Sequence, residues 1–320
     1  MRASILAITI LPVLAAAPAC GGEGESDPSC AEEPCLAPPE SGLQLTSTRR
    51  TIDPGEDREL CEAVRLPGGP DQEYDVNHFE LAMTRGSHHL IVAAIQPGSE
   101  TEAGVRDRDV VDCVGPTGFG EDIDIVTGAQ LPYYDEAYPD GVGKVYRGGQ
   151  YLVLDYHYFN ATDVPIDARV AINLHTTGAA SIEKVMSLLA FANLDIETPA
   201  GETRSFPTDC RADDDVMVYK LMRHTHRWGT DFPVEYAGGA RDGELIYTSA
   251  SYEDPDFIFE EPVRVAAGEG FRFTCSYDNT TSEALRFGVK ATDEMCILFG
   301  LVFSPTGREV PNQICVVGGD

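Results

Sequence analysis

From about Leu43 to the C-terminus, apolar residues recur in short runs separated by turn clusters. The runs are HHLIVAAI (88–95), GQYLVLDYHYF (149–159), ARVAINLHT (168–176), DVMVYKLMRHTHRW (215–228), ELIYTSASY (244–252), EGFRFTCSYD (269–278), LRFGVKA (285–291) and MCILFGLVF (295–303). They have strand length and are rich in β-branched and aromatic residues, and stretches such as GGPDQ, PTGFGED and AGGARDGE punctuate them. This pattern predicts an all-β chain built from two tandem antiparallel β-sandwich, jelly-roll-like domains. Only SIEKVMSLLAFA (181–192) reads as a helix. The small residues Thr177-Gly178-Ala179-Ala180 mark a boundary, giving domains at 45–178 and 179–320 with no repeat of fixed period.

The first residues change the picture. MRASILAITILPVLAAAPAC has one early Arg, an apolar run from Ile5 to Ala17 and then Cys20 before Gly21-Gly22. It reads as an export signal, too short and wrongly flanked to span a membrane. Cys20 resembles the lipidated cysteine of bacterial lipoproteins, which predicts an exported, envelope-side protein attached to a membrane only through that lipid. Residues 21–44, rich in Gly, Pro, Ser and Glu, form the tether. The formal charge, 23 basic minus 53 acidic residues, is −30, which repels nucleic acid and anionic lipid surfaces. Setting Cys20 aside leaves eight cysteines, four in each half, and export makes disulfides their default state. No C-x-x-C occurs.

Candidate chemistry lies in the histidines. His224 and His226 flank Thr225, and in an extended chain positions i and i+2 share a face, so both imidazoles can hold one ion. His88 and His89 are adjacent, which permits a shared ion only at a bulge, strand end or irregular turn; Gly86-Ser87 allows one. In the 149–159 run, Leu152, Leu154, Tyr156 and Tyr158 form the apolar face and His157 points away from it. His78 and His175 lack a partner at ligand spacing and read as structural. Met295, between Glu294 and Cys296, offers a thioether. Imidazole with thioether suits copper better than other common metals.

With these residues in view, the chain resembles the copper type II, ascorbate-dependent monooxygenases, the family of peptidylglycine α-hydroxylating and dopamine β-monooxygenases. The resemblance rests on His88-His89 in SHHLIVA, His157 in HYFN, His224-Thr225-His226, and Asp293-Glu294-Met295-Cys296, with PVRVAAGEGFRFTCSYDNTT (262–281) between them. It implies two coppers, one per domain, facing each other across a solvent-filled cleft. His88, His89 and His157 would hold an electron-transfer copper, and His224, His226 and Met295 the copper that binds dioxygen and forms the catalytic centre. Ascorbate would be the reductant and dioxygen the co-substrate in hydroxylating an activated C–H bond. The resemblance also implies disulfides Cys61–Cys113, Cys210–Cys315 and Cys275–Cys296, and leaves a local Cys30–Cys35 bridge.

Departures bear on the substrate. Peptide-amidating members carry an Arg two residues before the H-T-H motif, where this chain has Met222, with Arg223 displaced by one to the other face. Ile297 and Phe299 replace the Asn and Tyr that follow the Met ligand. The expected substrate is therefore a small aromatic or aliphatic molecule rather than a carboxylate-terminated peptide. Two other readings remain: a non-catalytic copper-buffering protein of the envelope, and a zinc hydrolase, which lacks an Asp or Glu base near the H-x-H. The N-x-T triplets at Asn160 and Asn279 carry no meaning in a chain with a bacterial lipoprotein-like leader.

Overall fold

A computed structural model of the protein describes residues 33–113, 118–120, 122–177, 182–251, 254–290 and 292–319. The leader, Cys20, Cys30 and most of the Thr177–Ala180 boundary lie outside the described residues, as therefore does the Cys30–Cys35 bridge. Among the described residues the regular elements are almost all strands, with one short helix at Glu100–Gly104 and a 3₁₀ turn at Gly239–Arg241. Among the described residues no helix is long and apolar enough to cross a membrane.

Two large sheets, with a two-stranded pair of Arg50–Ile52 and Ile166–Ala168, form the described part of the first half. One runs Gly42–Thr46, Val170–Thr176, Glu73–Met83 and Val142–Arg147, with Tyr133–Ala137 also paired to Glu73–Met83. The other runs Val110–Asp112, Asp57–Arg65, Tyr151–Phe159, Ser87–Ile95 and Ile123–Ala129. Their facing side chains, including Phe79, Leu81, Leu90, Val92, Leu154, Tyr156 and Ile172, make one buried cluster. The second half repeats the plan. Phe257–Val265, Val216–His224, Ile297–Phe303, Ser187–Asn193 and Gln313–Val317 form one sheet; Thr203–Arg211, Gly270–Asp278, Val234–Ala237 and Leu245–Tyr247 form the other. Phe191, Val218, Leu221, Phe271, Phe273 and Leu298 fill the space between.

The 181–192 run is not a helix. Its described residues supply two strands, Lys184–Val185 and Ser187–Asn193, because Leu189 and Phe191 on one face enter the second core and strands on both sides hold the backbone. Partners distant in sequence override the local helical pattern. The pair Lys184–Val185 continues the first half's sheet beside Val142–Gly143, so the join is integrated into both halves.

The N-x-T triplets do carry structural meaning. Asn160 Nδ2 donates to Ile52 O (2.9 Å) and Val164 O (2.8 Å), while Thr162 N (3.0 Å) and Oγ1 (2.7 Å) donate to Asn160 Oδ1. Asn279 repeats the corner: Nδ2 donates to Thr198 O (2.8 Å) and Glu283 O (2.7 Å), and Thr281 N (3.0 Å) and Oγ1 (2.7 Å) donate to Oδ1. Each follows the last residue of a central strand, and each is fully buried. One corner thus recurs in both halves where sequence shows no fixed period.

Three disulfides join Cys61 to Cys113, Cys210 to Cys315 and Cys275 to Cys296, the three pairs that the family resemblance implies. They fit a chain that matures in an oxidising, exported setting.

Candidate metal centre

His89 pairs across the strands with His157, and Ser87 with Tyr158; the register shift leaves His88 as the extra residue of a bulge. That irregularity turns two neighbouring imidazoles toward one point, which a regular pleat forbids. Donor atoms of His88, His89 and His157 all lie within 4.8 Å of one another, and the Nδ1 atoms of His88 and His89 are 3.0 Å apart. His157 Nε2 lies 2.5 Å from Asp57 Oδ1; a carboxylate accepts, so Nε2 holds the proton. Its Nδ1, buried and without a hydrogen-bond partner, is left as a lone pair. His89 Nε2 lies 3.2 Å from Glu59 and 4.0 Å from the buried Asp155, whose pKa burial pushes well up, with Glu59 adding to it. Carboxylates behind imidazoles are what orients metal-ligating histidines.

His157 does leave the apolar face, as alternation requires, but that second face is buried too. Val153 packs with Cys61, Ala63 and Ala93, and His157 is only 2% exposed.

The second trio forms where the Val216–His224 strand ends. His224 Nε2 is 3.2 Å from Met295 Sδ. His226 Nδ1 donates to Asp293 O at 2.9 Å, which leaves Nε2 as its free donor atom. The loop is fastened by Glu294, whose Oε2 accepts from His226 N (2.8 Å) and Met295 N (3.3 Å) and whose Oε1 accepts from Trp228 N (2.8 Å). Burial pushes Glu294 up to about 7. Arg223 points to the opposite side, where its guanidinium donates to Thr225 Oγ1, Ser249 O and Gly229 O. Met222 lines a cavity between the halves together with Phe299, whose ring sits 5.8 Å from that of His224.

The trios are not separated by a water layer. His88 and His226 meet edge to face with centroids 5.6 Å apart, and His89 and His224 lie 6.3 Å apart. The expected solvent-filled gap is closed here because side chains of the two halves pack and pair with one another. Met186, Tyr219 and Leu301 from the second half join the first half's core cluster. Lys220, 2% exposed, places Nζ 2.8 Å from Glu136, 3.2 Å from Asp256 and 2.8 Å from the Tyr134 hydroxyl. Asn312 donates to Asp124 at 2.9 Å and Tyr219 to Ala137 O at 3.1 Å. Desolvation lowers the pKa of His88 to about 2 and holds His89, His224 and His226 below the ordinary value, so these four rings sit together as neutral donors.

Sequence reading missed Asp57, Glu59, Asp155, Lys220 and Glu136. Asp57 and Glu59 alternate with Cys61 on one strand face, a signal present in sequence, but their opposition to His157 depends on register. The expected absence of a carboxylate near the H-x-H also changes: Glu294 arrives from a distant strand, although both oxygens are engaged by backbone N–H groups. His78 and His175 stack at 4.1 Å and bond Asp135 and Glu80 at 2.6 Å each, consistent with structural roles.

Residues 185–319 match the family model of the copper type II ascorbate-dependent monooxygenase C-terminal domain. That span contains the second trio and two of the disulfides. Among solved structures, the major capsid protein P2 of bacteriophage PM2 is similar at TM-score 0.30 and 10% identity, over 83% of this chain and 100% of that one. PNGF-II is similar at TM-score 0.30 and 8% identity, over 84% of this chain and 65% of that one. At such scores neither likeness bears on function.

Proposed function

We propose that the protein, whose residues 185–319 match the family model of the copper type II ascorbate-dependent monooxygenase C-terminal domain, hydroxylates an activated C–H bond of a small organic substrate with dioxygen. Ascorbate or another one-electron reductant supplies the electrons. The observation that carries this reading is the convergence of five histidines and one methionine as two trios in contact.

The donor set fits copper. His157 Nδ1 is a buried lone pair with no hydrogen-bond partner, a costly arrangement unless an ion takes it. His88, His89 and His157 would hold the electron-transfer copper, and His224, His226 and Met295 the oxygen-binding one. Copper bound there would cycle between Cu(I) and Cu(II), and the soft thioether favours the reduced state. Asp57 holds the proton on the outer nitrogen of His157 and so keeps the inner one free, and Glu59 stands 3.2 Å from His89 Nε2. Glu294 ties the His226 loop to the Met295 segment, so that ring and sulfur stay aimed together. Met222 and Phe299 exclude water beside His224 and present no cation to a carboxylate, which disfavours a carboxylate-terminated peptide. By this reading Cys20 carries a lipid that anchors the exported chain to a bacterial membrane.

The test is copper stoichiometry combined with oxygen uptake. Two coppers per chain and ascorbate-driven oxygen consumption coupled to a hydroxylated product support the enzyme. Stable Cu(I) binding without oxygen use would replace it with a copper buffer.

A further inference from the structure

The strands Val216–His224, Ile297–Phe303, Ser187–Asn193 and Gln313–Val317 lie side by side in that order, with Gln313–Val317 at the edge of the sheet. Their register lines up two rows of side chains across it. One row is Met222, Phe299, Ala190 and Ile314; the other is His224, Ile297, Ala192 and Val316. Alternation puts both rows on the face turned away from the second half's core, because Leu298 and Phe191, which stand between them, belong to that core. A sheet face open to water is ordinarily polar. Here every position except His224 is apolar: Ala190, Ala192, Ile297, Phe299 and Met222 are half-buried, and Ile314 and Val316 are 50% and 56% exposed. Contiguous apolar surface of this kind marks a place where something binds.

The dimensions narrow what that is. Three strand spacings carry the strip about 14 Å from His224 to the edge, and rows two residues apart make it about 7 Å wide. An area of roughly 100 Å² is far below the ~800 Å² that each partner of a stable protein complex buries. It suits a molecule one carbon chain wide. Apart from His224, no side chain in either row donates or accepts a strong hydrogen bond, so a charged or polar occupant would lose water without replacement. The strip also runs up to the second trio, since Met295 precedes Ile297 by two residues and its Sδ lies 3.2 Å from His224 Nε2.

We propose that this strip seats the substrate, an uncharged molecule with an extended hydrocarbon chain laid flat across the four strands and one end at the second trio. The inference rests on the monooxygenase reading for calling that molecule a substrate. Binding itself needs no metal, so binding and turnover can fail separately.

The probes are 1-hexanol, 1-octanol and 1-decanol, titrated calorimetrically into the full chain before and after copper loading. Affinity is expected to rise about twofold per added methylene, because the strip covers one side of the chain. Replacing both edge residues, Ile314→Thr with Val316→Thr, keeps branched side chains that suit a strand. This double variant should bring 1-decanol down toward the 1-hexanol level and leave 1-hexanol within about twofold, since the short chain rests on the larger Met222, Phe299 and Ile297. Leu245→Ser, at an exposed leucine on the other sheet, should change neither. A flat response to chain length, or an undiminished gain in the folded double variant, overturns the proposal. So does a concentration-dependent dimer that the double variant dissolves, which would give the strip to a second copy of the chain. Binding as expected without ascorbate-driven oxygen uptake in the copper-loaded chain would sink the monooxygenase reading and leave the strip as a hydrocarbon-binding surface.

Discussion

The imidazoles of His88 and His226, one from each half of the chain, meet edge to face with centroids 5.6 Å apart. Contact at this range leaves no room for a water layer between the two trios. With Cu(II) at both, the two spins are expected to couple, so that the integrated electron paramagnetic resonance signal falls short of two independent ions. Full intensity from two magnetically isolated sites would show that the halves part in solution.

Met295 supplies the one sulfur, 3.2 Å from His224 Nε2. Met295→Ala should cut ascorbate-dependent product formation by more than the roughly 10–100-fold typical of residues behind a metal ligand. Copper at His88, His89 and His157 should remain. Metal analysis and single-turnover assays of the variant check both halves of this statement, and normal turnover refutes the role.

Glu294 fastens three backbone N–H groups from two separate segments. Glu294→Gln turns one acceptor into a donor facing a donor, at an expected cost of about 1–3 kcal/mol. Copper affinity at the second trio should fall about 10–100-fold with the first trio unaffected. Titration with a Cu(I) chelator as competitor reads the difference.

The twin corners make a paired prediction. Asn160→Ala and Asn279→Ala each remove two donated and two accepted hydrogen bonds in a fully buried setting. Each should cost about 2–4 kcal/mol, visible as a drop of several degrees in Tm. A loss confined to one of the two would show that the corners are not equivalent.

Lys144 is buried, and desolvation lowers its pKa to about 8 despite the nearby Asp124. Between pH 8 and 10 the unfolded chain still binds this proton and the folded chain does not, so stability rises with pH across that window. The gain is on the order of 2 kcal/mol. Above pH 10 the trend should reverse, because burial holds Tyr138, Tyr146 and Tyr277 well above their ordinary value and their ionisation favours the unfolded chain. Denaturant midpoints for wild type and Lys144→Met test the rise, which should vanish in the variant.

How much was legible in sequence follows from how local each feature is. Strand identity at Tyr151–Phe159 or Gly270–Asp278 is set by side-chain alternation within a few residues, and the structure keeps both. The pairing of His224 with His226 is likewise a matter of period two, and their rings stand 5.5 Å apart. The 181–192 run shows the opposite case: its apolar spacing suits a helix, and only the flanking strands Ile297–Phe303 and Gln313–Val317 make its second part, Ser187–Asn193, extended.

The sequence by itself determined which residues carry nitrogen and sulfur donors, which strands present them, and that Met222 and Arg223 face opposite ways. Only the tertiary structure decided that Asp57 and Glu59 stand behind His157 and His89, that Glu294 grips the His226 loop, and that the two trios touch. Register between strands and packing between halves depend on contacts among residues far apart in the chain. Their energies come from burying surfaces such as the Lys220–Glu136 interface, which no local pattern of amino acids encodes.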